Sequence, residues 1–127
     1  MLKKLYINNI AIIDSLEIDF DSSFNVITGQ SGSGKTILYK TIKYLLGEKF
    51  NKKYLRKNEK SCIIKGSFEF ESQTIYLERY FTGKSTKNLI NTQSYSATDY
   101  SSKVKDIWES YGQHEQQLLL KDENHIY

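Results

Sequence analysis

Residues 29–36, Gly-Gln-Ser-Gly-Ser-Gly-Lys-Thr, fit the pattern G-x-x-x-x-G-K-[ST] of a phosphate-binding P-loop. Such a loop works where a strand ends and a helix begins, because loop N–H groups and the helix N-terminus together hold phosphates. Residues 24–28, Phe-Asn-Val-Ile-Thr, predict a short buried strand before the motif, and apolar residues recur at helical spacing from Ile37 to Leu46 after it. The sequence therefore predicts a nucleoside triphosphate site between a strand and a helix.

Each position of this motif has an expected role at the nucleotide. The glycines let the backbone turn tightly and approach the phosphates. The Lys35 ammonium is expected to reach the β- and γ-phosphates, and the Thr36 hydroxyl to hold Mg²⁺. The predicted nucleotide-binding residues are Gly29, Gln30, Ser31, Gly32, Ser33, Gly34, Lys35 and Thr36.

Composition excludes several other classes of protein. No apolar run approaches the length of about 18 residues that crosses a membrane, so we expect a cytoplasmic protein with no membrane partner. The net charge of +3 is too small to indicate nucleic acid by itself. The one cysteine, Cys62, falls on an alternating apolar face, which favours buried packing over a reactive thiol.

Alternating apolar residues predict a largely antiparallel sheet. Residues 2–7 and 16–20 predict an opening pair of strands, with its turn in the Asn8-Asn9 and Asp14-Ser15 region. After the P-loop helix, which is expected to end at Gly47, residues 62–70 and 75–81 predict two more strands. Residues 83–85, Gly-Lys-Ser, then predict a hairpin turn that leads to Leu89 and Ile90. The middle third of the chain is thus predicted to be an antiparallel meander.

Two further segments have distinct patterns. Residues 49–60 carry six basic side chains in an exposed connection, which is either a solvated loop or a surface that contacts DNA phosphates. Residues 98–108 predict a helix whose buried face includes Tyr100, Val104 and Trp108, with Ser or Asp as its N-cap.

Two segments in order resemble the RecN family of bacterial DNA repair proteins. The first is residues 5–14, Leu-Tyr-Ile-Asn-Asn-Ile-Ala-Ile-Ile-Asp, followed by residues 24–29 and the P-loop. The second is residues 111–119, Tyr-Gly-Gln-His-Glu-Gln-Gln-Leu-Leu, which resembles the family's counterpart of the Q-loop in ABC-type ATPases. Residues 55–57 and 83–85 resemble landmarks between them, although the hairpin here is less basic than is usual in the family. The resemblance covers essentially the whole chain.

This resemblance implies an α/β fold of the P-loop NTPase class. Residues 1–127 would form one domain, the N-terminal lobe of an ABC/SMC-type head, with mixed and antiparallel strands around the P-loop helix. ATP and Mg²⁺ would be bound, with Lys35 and Gln113 as the catalytic residues and with Thr36 and Gln113 on the metal. His114 is interpreted as a structural residue rather than a general base, because no carboxylate is placed by sequence to orient it.

The same resemblance implies partners outside this sequence. They are the C-terminal lobe of the same head, a second head that sandwiches ATP in a homodimer, and DNA for the full-length protein, at the bacterial nucleoid. This sequence contains no Leu-Ser-Gly-Gly signature and no run of four apolar residues closed by Asp-Glu. We therefore expect either an N-terminal piece of a longer protein or a short relative that needs a partner, and a complete head would be an ATPase.

Two other functions remain open from the residues alone. A small P-loop kinase would need a parallel sheet and an Arg-rich lid, which the predicted meander disfavours. A module that binds ATP without hydrolysing it also agrees with the motifs. A GTPase is disfavoured because the sequence has no Asn-Lys-x-Asp motif.

Overall fold

A computed structural model describes residues 1–20 and 32–112. For residues 32–35 it describes the backbone but not the side chains. The described elements are β1 (Leu2–Ile10), β2 (Ile13–Asp19), α1 (Gly32–Leu45), a 3₁₀ turn (Lys52–Tyr54), β3 (Cys62–Phe70), β4 (Gln73–Phe81), β5 (Thr86–Ile90), β6 (Gln93–Tyr95) and α2 (Ala97–Ser110). The predicted strand at residues 24–28 lies outside the described residues. Neither α1 nor α2 is long and apolar enough to cross a membrane.

The six described strands form one sheet in the order β2-β1-β3-β4-β5-β6, and every neighbouring pair is antiparallel. All pairs but one join strands that follow each other in the chain. The exception is β1 with β3, and α1 lies in the connection between them. The predicted antiparallel meander is confirmed. Along the sequence, the P-loop helix α1 comes after the β1–β2 hairpin and before strands β3 to β6.

One face of this sheet forms the core because its inward positions are apolar. Along β3 the side chains of Cys62, Ile64 and Phe68 are buried, and the positions between them are more exposed. α1 lies over β3 and β4 on this face, and α2 lies over β5 and β6. Gly66 allows the closest approach, since a Cβ atom there would stand 2.6 Å from Leu45 Cδ2. The absence of a side chain at Gly66 therefore lets α1 pack closely against β3.

The turn between β1 and β2 lies inside the predicted region, but both strands extend further into that region than the alternation predicted. Asn8 is paired with Ser15 inside the ladder, and the chain reverses at Ala11 and Ile12. Asn9 stays in β1 although its φ is +61°, a conformation that asparagine tolerates. Its amide donates to Ser61 O at 3.2 Å, so tertiary contacts hold it in the strand. The reversal therefore lies inside the predicted region, while Asn8, Asn9, Asp14 and Ser15 belong to the strands rather than to the turn.

α2 agrees with its prediction. Ser96 is the N-cap, and its hydroxyl accepts a hydrogen bond from the Asp99 amide at 3.1 Å. Tyr100, Val104 and Trp108 are buried. The Trp108 ring packs edge-on against Phe68 and Phe70 of β3, with centroid distances of 5.0 and 4.9 Å. This aromatic contact fastens the C-terminal end of α2 to the centre of the sheet.

The Cys62 thiol should be inert until the protein unfolds. It is buried at the start of β3, as predicted, and burial raises its pKa to about 12. At pH 8 only about one thiol in ten thousand would be the reactive thiolate. We expect no labelling by a disulfide reagent in native buffer and one thiol labelled in denaturant. A variant with Cys62→Ala and Ser61→Cys, which moves the thiol to the exposed neighbouring position, should label at once; fast native labelling of Cys62 itself would contradict its burial.

Candidate nucleotide-binding site

The P-loop motif runs into the first turn of α1. The helix begins at Gly32, so residues 32–36 of the motif are helical, and residues 29–31 lie outside the described part of the chain. No acidic residue occurs in the first turn of α1. The partial positive charge of the helix N-terminus is therefore not opposed by a side chain of its own first turn, which suits an anionic ligand there.

Apolar packing holds α1 across the sheet. Leu38, Ile42, Leu45 and Leu46 are buried, in the spacing that the sequence predicted. Thr41 is also buried, and its hydroxyl donates to Ile37 O at 2.7 Å, which satisfies it within the helix. The helix that carries the P-loop residues is therefore a fixed part of the core rather than a surface element.

A buried arginine, Arg79 of β4, holds the C-terminal end of α1. Its Nη1 donates to Tyr44 O at 2.7 Å and to Glu48 O at 2.9 Å, and its Nε donates to Asn88 Oδ1 at 2.8 Å. A cation at this position complements the partial negative charge of the helix C-terminus. Burial lowers the pKa of Arg79, and this cation is stabilised by the three acceptors around its guanidinium group.

Tyr100 of α2 completes this anchor. Its hydroxyl donates to Leu45 O at 2.5 Å, and its ring lies 4.9 Å from the Arg79 guanidinium. Burial raises the pKa of Tyr100 above its usual range, so its hydroxyl stays protonated and remains a donor. Asn88 in turn donates to Tyr95 O at 3.3 Å. The anchor thus connects α1 with β4, β5, β6 and α2.

Alternation along β4 would have identified Arg79, although the sequence analysis did not select it. Ile75, Leu77 and Phe81 face the core, and Arg79 occupies the same parity of positions. Asn88 is its cross-strand partner in β5 and is also buried. A polar pair at inward positions of a predicted strand therefore signals a buried polar contact.

Gly47 ends α1 next to this anchor, as predicted. Its φ is +116°, and a Cβ atom there would lie 2.8 Å from Ser101 Oγ and 3.0 Å from Ser101 Cα. Both the backbone conformation and the close approach of α2 therefore require glycine. The chain leaves the helix in contact with the N-terminal half of α2.

The basic connection after α1 contacts two hairpins. Lys52 Nζ donates to Gly83 O in the β4–β5 turn at 3.0 Å. Arg56 Nη1 donates to Ile12 O in the β1–β2 turn at 2.8 Å, so this side chain has a structural partner. Lys53, Lys57 and Lys60 are exposed. The predicted basic surface is confirmed as largely exposed, and its residues differ in what they contact.

The described residues include only part of the predicted site. Thr36 is exposed in α1, near its N-terminus. Gln113 and His114 lie outside the described residues, as do residues 29–31 of the P-loop. Among residues 1–20 and 32–112, no three His, Cys, Asp or Glu side chains come together as a metal site. Of the two residues that the sequence predicts as Mg²⁺ ligands, Thr36 lies in the described part of the chain.

Comparison with known families gives a match along nearly the whole chain. Residues 4–125 match the model of the AAA domain family. The chain is 29% identical over 145 aligned residues to the DNA repair protein RecN of Bacillus subtilis, and 32% identical to RecN of Halalkalibacterium halodurans. These alignments cover 99% of this chain but 25% and 26% of the two relatives. The chain thus spans about a quarter of the length of these curated relatives, and the resemblance to RecN is confirmed.

Solved structures show the same fold. The recombination mediator protein RecF, in the structure described as RecF-ATPrS in the RecFOR pathway, matches with a TM-score of 0.65 at 15% identity, over 79% of this chain and 29% of RecF. The SMC head domain from Thermotoga maritima matches with a TM-score of 0.60 at 22% identity, over 80% of this chain and 41% of the head. The predicted fold, a lobe of an ABC/SMC-type head, is therefore confirmed.

Proposed function

The chain belongs to the AAA domain family, and on that premise we propose that it is the ATP-binding N-terminal lobe of a RecN-like head that acts in DNA double-strand break repair. The observation that carries the proposal is the position of the P-loop residues. They begin α1, a helix seated in the core of a sheet whose fold resembles RecF and SMC heads. The similarity to RecN over 99% of the chain supports the choice of repair as the process.

The residues present are suited to a nucleoside triphosphate with Mg²⁺. A helix N-terminus without acidic residues in its first turn favours phosphate, and Thr36 offers an uncharged oxygen of the kind Mg²⁺ accepts. In this proposal Lys35 binds the β- and γ-phosphates, Thr36 holds the metal, and Gln113 completes the shell of metal or water. Bound Mg²⁺ would neutralise charge on the phosphates.

The proposed partners follow from a head divided into lobes. The C-terminal lobe of the same head would supply the signature and Walker B elements, and a second head would close over ATP. Binding of ATP would favour engagement of the heads and hydrolysis would release them, which is a two-state switch biased by the γ-phosphate. The RecN relatives are bacterial DNA repair proteins, so we place this protein in the bacterial cytoplasm, at the nucleoid.

The described sheet is evidence against a small P-loop kinase. Such kinases have a parallel sheet, whereas all five neighbouring pairs in the described part of this chain are antiparallel. An antiparallel sheet packed on the P-loop helix agrees with the ABC/SMC-type head instead.

Lys35→Ala should remove most of the affinity for MgATP. A hydrogen bond to a charged group contributes about 1.5–3 kcal/mol, so we expect a loss of roughly 10- to 150-fold. A fluorescent ATP analogue, titrated into the chain and followed by anisotropy, measures this loss. Lys40→Ala removes the same charge from the same helix and should leave the affinity unchanged. Equal affinities for Lys35→Ala and the unmodified chain would refute the P-loop assignment.

A further inference from the structure

A cluster of four aromatic rings lies at the C-terminal end of α2. The rings belong to Phe68 and Phe70 of β3, to Trp108 in the last turn of α2 and to Tyr111, the C-cap of this helix. The Tyr111 ring stacks on Phe70 with a centroid distance of 4.8 Å and an interplanar angle of 9°. Phe70 is buried, so the residue that ends α2 is packed directly on the core.

A hydrogen bond extends this packing to the β3–β4 turn. The Tyr111 hydroxyl donates to Oε1 of Gln73, the first residue of β4. Gln73 is paired with Phe70 across the hairpin. Tyr111 therefore contacts both members of the pair that closes the turn, one by stacking and the other by a hydrogen bond. We call Tyr111, Phe70 and Gln73 the tyrosine clamp.

The backbone at the end of α2 is fixed as well. Tyr111 N donates to Trp108 O at 3.2 Å, and Gly112 N donates to Glu109 O at 2.9 Å. The φ of Gly112 is +68°, the left-handed conformation in which helices commonly end. A Cβ atom there would meet no described atom within 4 Å, so the conformation rather than the space favours glycine. These contacts set the direction in which the chain leaves α2.

The packing of α2 itself does not depend on the tyrosine clamp. Tyr100, Val104 and Trp108 are buried along the helix and hold it on the sheet. Tyr111 follows the last helical residue, Ser110, and its side chain is half-buried. The contacts of Tyr111 therefore constrain mainly the part of the chain that comes after the helix.

The residue that follows Gly112 is Gln113, the predicted ligand of Mg²⁺. Consecutive Cα atoms are about 3.8 Å apart, so whatever fixes Gly112 limits where Gln113 begins. α2 starts beside the C-terminal end of α1, where Ser101 approaches Gly47. Its 14 residues carry the chain about 20 Å onward, away from the end of α1 that is remote from the P-loop. A residue that serves the P-loop requires a displacement of this kind.

We propose that Tyr111 is a positioning residue that sets the place from which Gln113 binds Mg²⁺. The inference rests on the proposed function, which assigns Gln113 to the shell of metal or water. A glutamine side chain loses much rotamer freedom when it binds, so a backbone that is already held lowers the cost of binding. Tyr111 acts through Gln113, and the stacking on Phe70 and the hydrogen bond to Gln73 keep it in place.

The test is a double-mutant cycle on Tyr111 and Gln113 in the 127-residue chain. The affinity for a fluorescent ATP analogue is measured by anisotropy, once with Mg²⁺ and once with EDTA, and the ratio of the two affinities is the metal enhancement. The four chains are the unmodified chain, Tyr111→Leu, Gln113→Ala and the variant with both changes. Tyr76→Leu is the matched control, because it removes an exposed ring from the strand that carries Gln73.

We expect Gln113→Ala and Tyr111→Leu each to lower the metal enhancement by about tenfold or more, since groups that orient a metal ligand typically contribute 10- to 100-fold in metal affinity. Tyr111→Leu should have little further effect once Gln113 is alanine, because its effect passes through that side chain. Tyr111→Phe keeps the stacked ring and should lower the enhancement less than Tyr111→Leu does. The Tyr76→Leu control should bind like the unmodified chain.

The fold of each variant can be followed at the cluster itself. Trp108 is the one tryptophan in the sequence and contacts Phe70, so its fluorescence shows whether this end of α2 stays packed. If Tyr111→Leu unpacks it, Gln73→Leu is the second variant, since it removes the hydrogen-bond acceptor at an exposed position. It should lower the metal enhancement by at least about twofold, and only where Gln113 is present.

Three results would overturn the inference. They are an unchanged metal enhancement in Tyr111→Leu, an equal loss of ATP affinity with Mg²⁺ and with EDTA, and a Tyr111→Leu effect of the same size when Gln113 is alanine. The last two would show a structural role alone. If Gln113→Ala lowers the enhancement and Tyr111→Leu does not, this inference fails and the proposed function stands. Unchanged ATP affinity in Lys35→Ala would instead refute the proposed function.

Discussion

Mixed with MgATP, the 127-residue chain by itself should release phosphate at a rate at least about 10³-fold below that of a complete head. Phosphoryl transfer needs the developing charge stabilised from several sides and a water held in line. A single charge supplied from outside, such as an arginine finger, is worth about 10³–10⁵ in rate. This chain contributes the P-loop and the predicted Gln113, and its sequence contains neither a Leu-Ser-Gly-Gly signature nor a Walker B run.

Addition of the C-terminal lobe as a separate chain should restore turnover. Gln113→Ala should then lower the rate far more than it lowers ATP affinity, because its expected contribution is made in the transition state. Steady-state phosphate release measures both effects, and Lys35→Ala controls for contaminating ATPase. Robust release by the short chain that Lys35→Ala abolishes would show a complete site and refute the division into lobes. Turnover that stays absent with the added lobe would favour a module that binds ATP without hydrolysing it.

Replacing Arg79 by leucine should destabilise the fold by about 2–6 kcal/mol. Leucine fills much of the volume but donates no hydrogen bond, so Glu48 O and Asn88 Oδ1 lose this donor, while Tyr44 O keeps its bond from the Gly47 amide. An unsatisfied buried acceptor costs about 1–3 kcal/mol. Because small domains have total stabilities of about 5–15 kcal/mol, this loss would be a large fraction of the whole.

Urea unfolding followed by circular dichroism measures this effect. Lys87→Leu, at an exposed position of the adjacent strand β5, is the matched control and should change stability by less than about 0.5 kcal/mol. Arg79→Lys keeps the charge but not the planar fork that reaches three acceptors, so we expect an intermediate loss. A loss below about 1 kcal/mol in Arg79→Leu would show that water satisfies these carbonyls and that Arg79 does not anchor α1.

Local patterns predicted most elements of the fold. Alternation in β3 and the helical spacing of Tyr100, Val104 and Trp108 were sufficient, because each pattern records which face of one element is buried. The hairpin of β5 and β6 was missed. Its turn is formed by Asn91 and Thr92, which have φ values of +49° and +72°, and a β-branched residue is rare in that conformation.

The candidate sites were predictable to different extents. The P-loop is contiguous in sequence, so its motif is sufficient to propose Lys35 and Thr36 as site residues, and the helix predicted with it begins at Gly32. A cavity of about 750 Å³ joins residues 47–52, 79–86 and 97–105, and no local pattern shows that these three segments meet. The exposed basic connection was recognised from charge alone, but the tertiary fold decides that Lys49 and Lys52 line this cavity and that Lys53, Lys57 and Lys60 do not.

The strand order also has a consequence for folding kinetics. β3, β4, β5 and β6 pair with their neighbours in sequence, so these hairpins close short loops and should form early. Pairing of β1 with β3 brings Ile7 beside Ile64 and must close a long loop that contains the entire P-loop segment. Closure of a long loop has the larger entropic cost and is therefore expected to be slower. Pairing of β1 with β3 would then follow the hairpins, and α1, which begins with P-loop residues, would be packed against strands that have already paired.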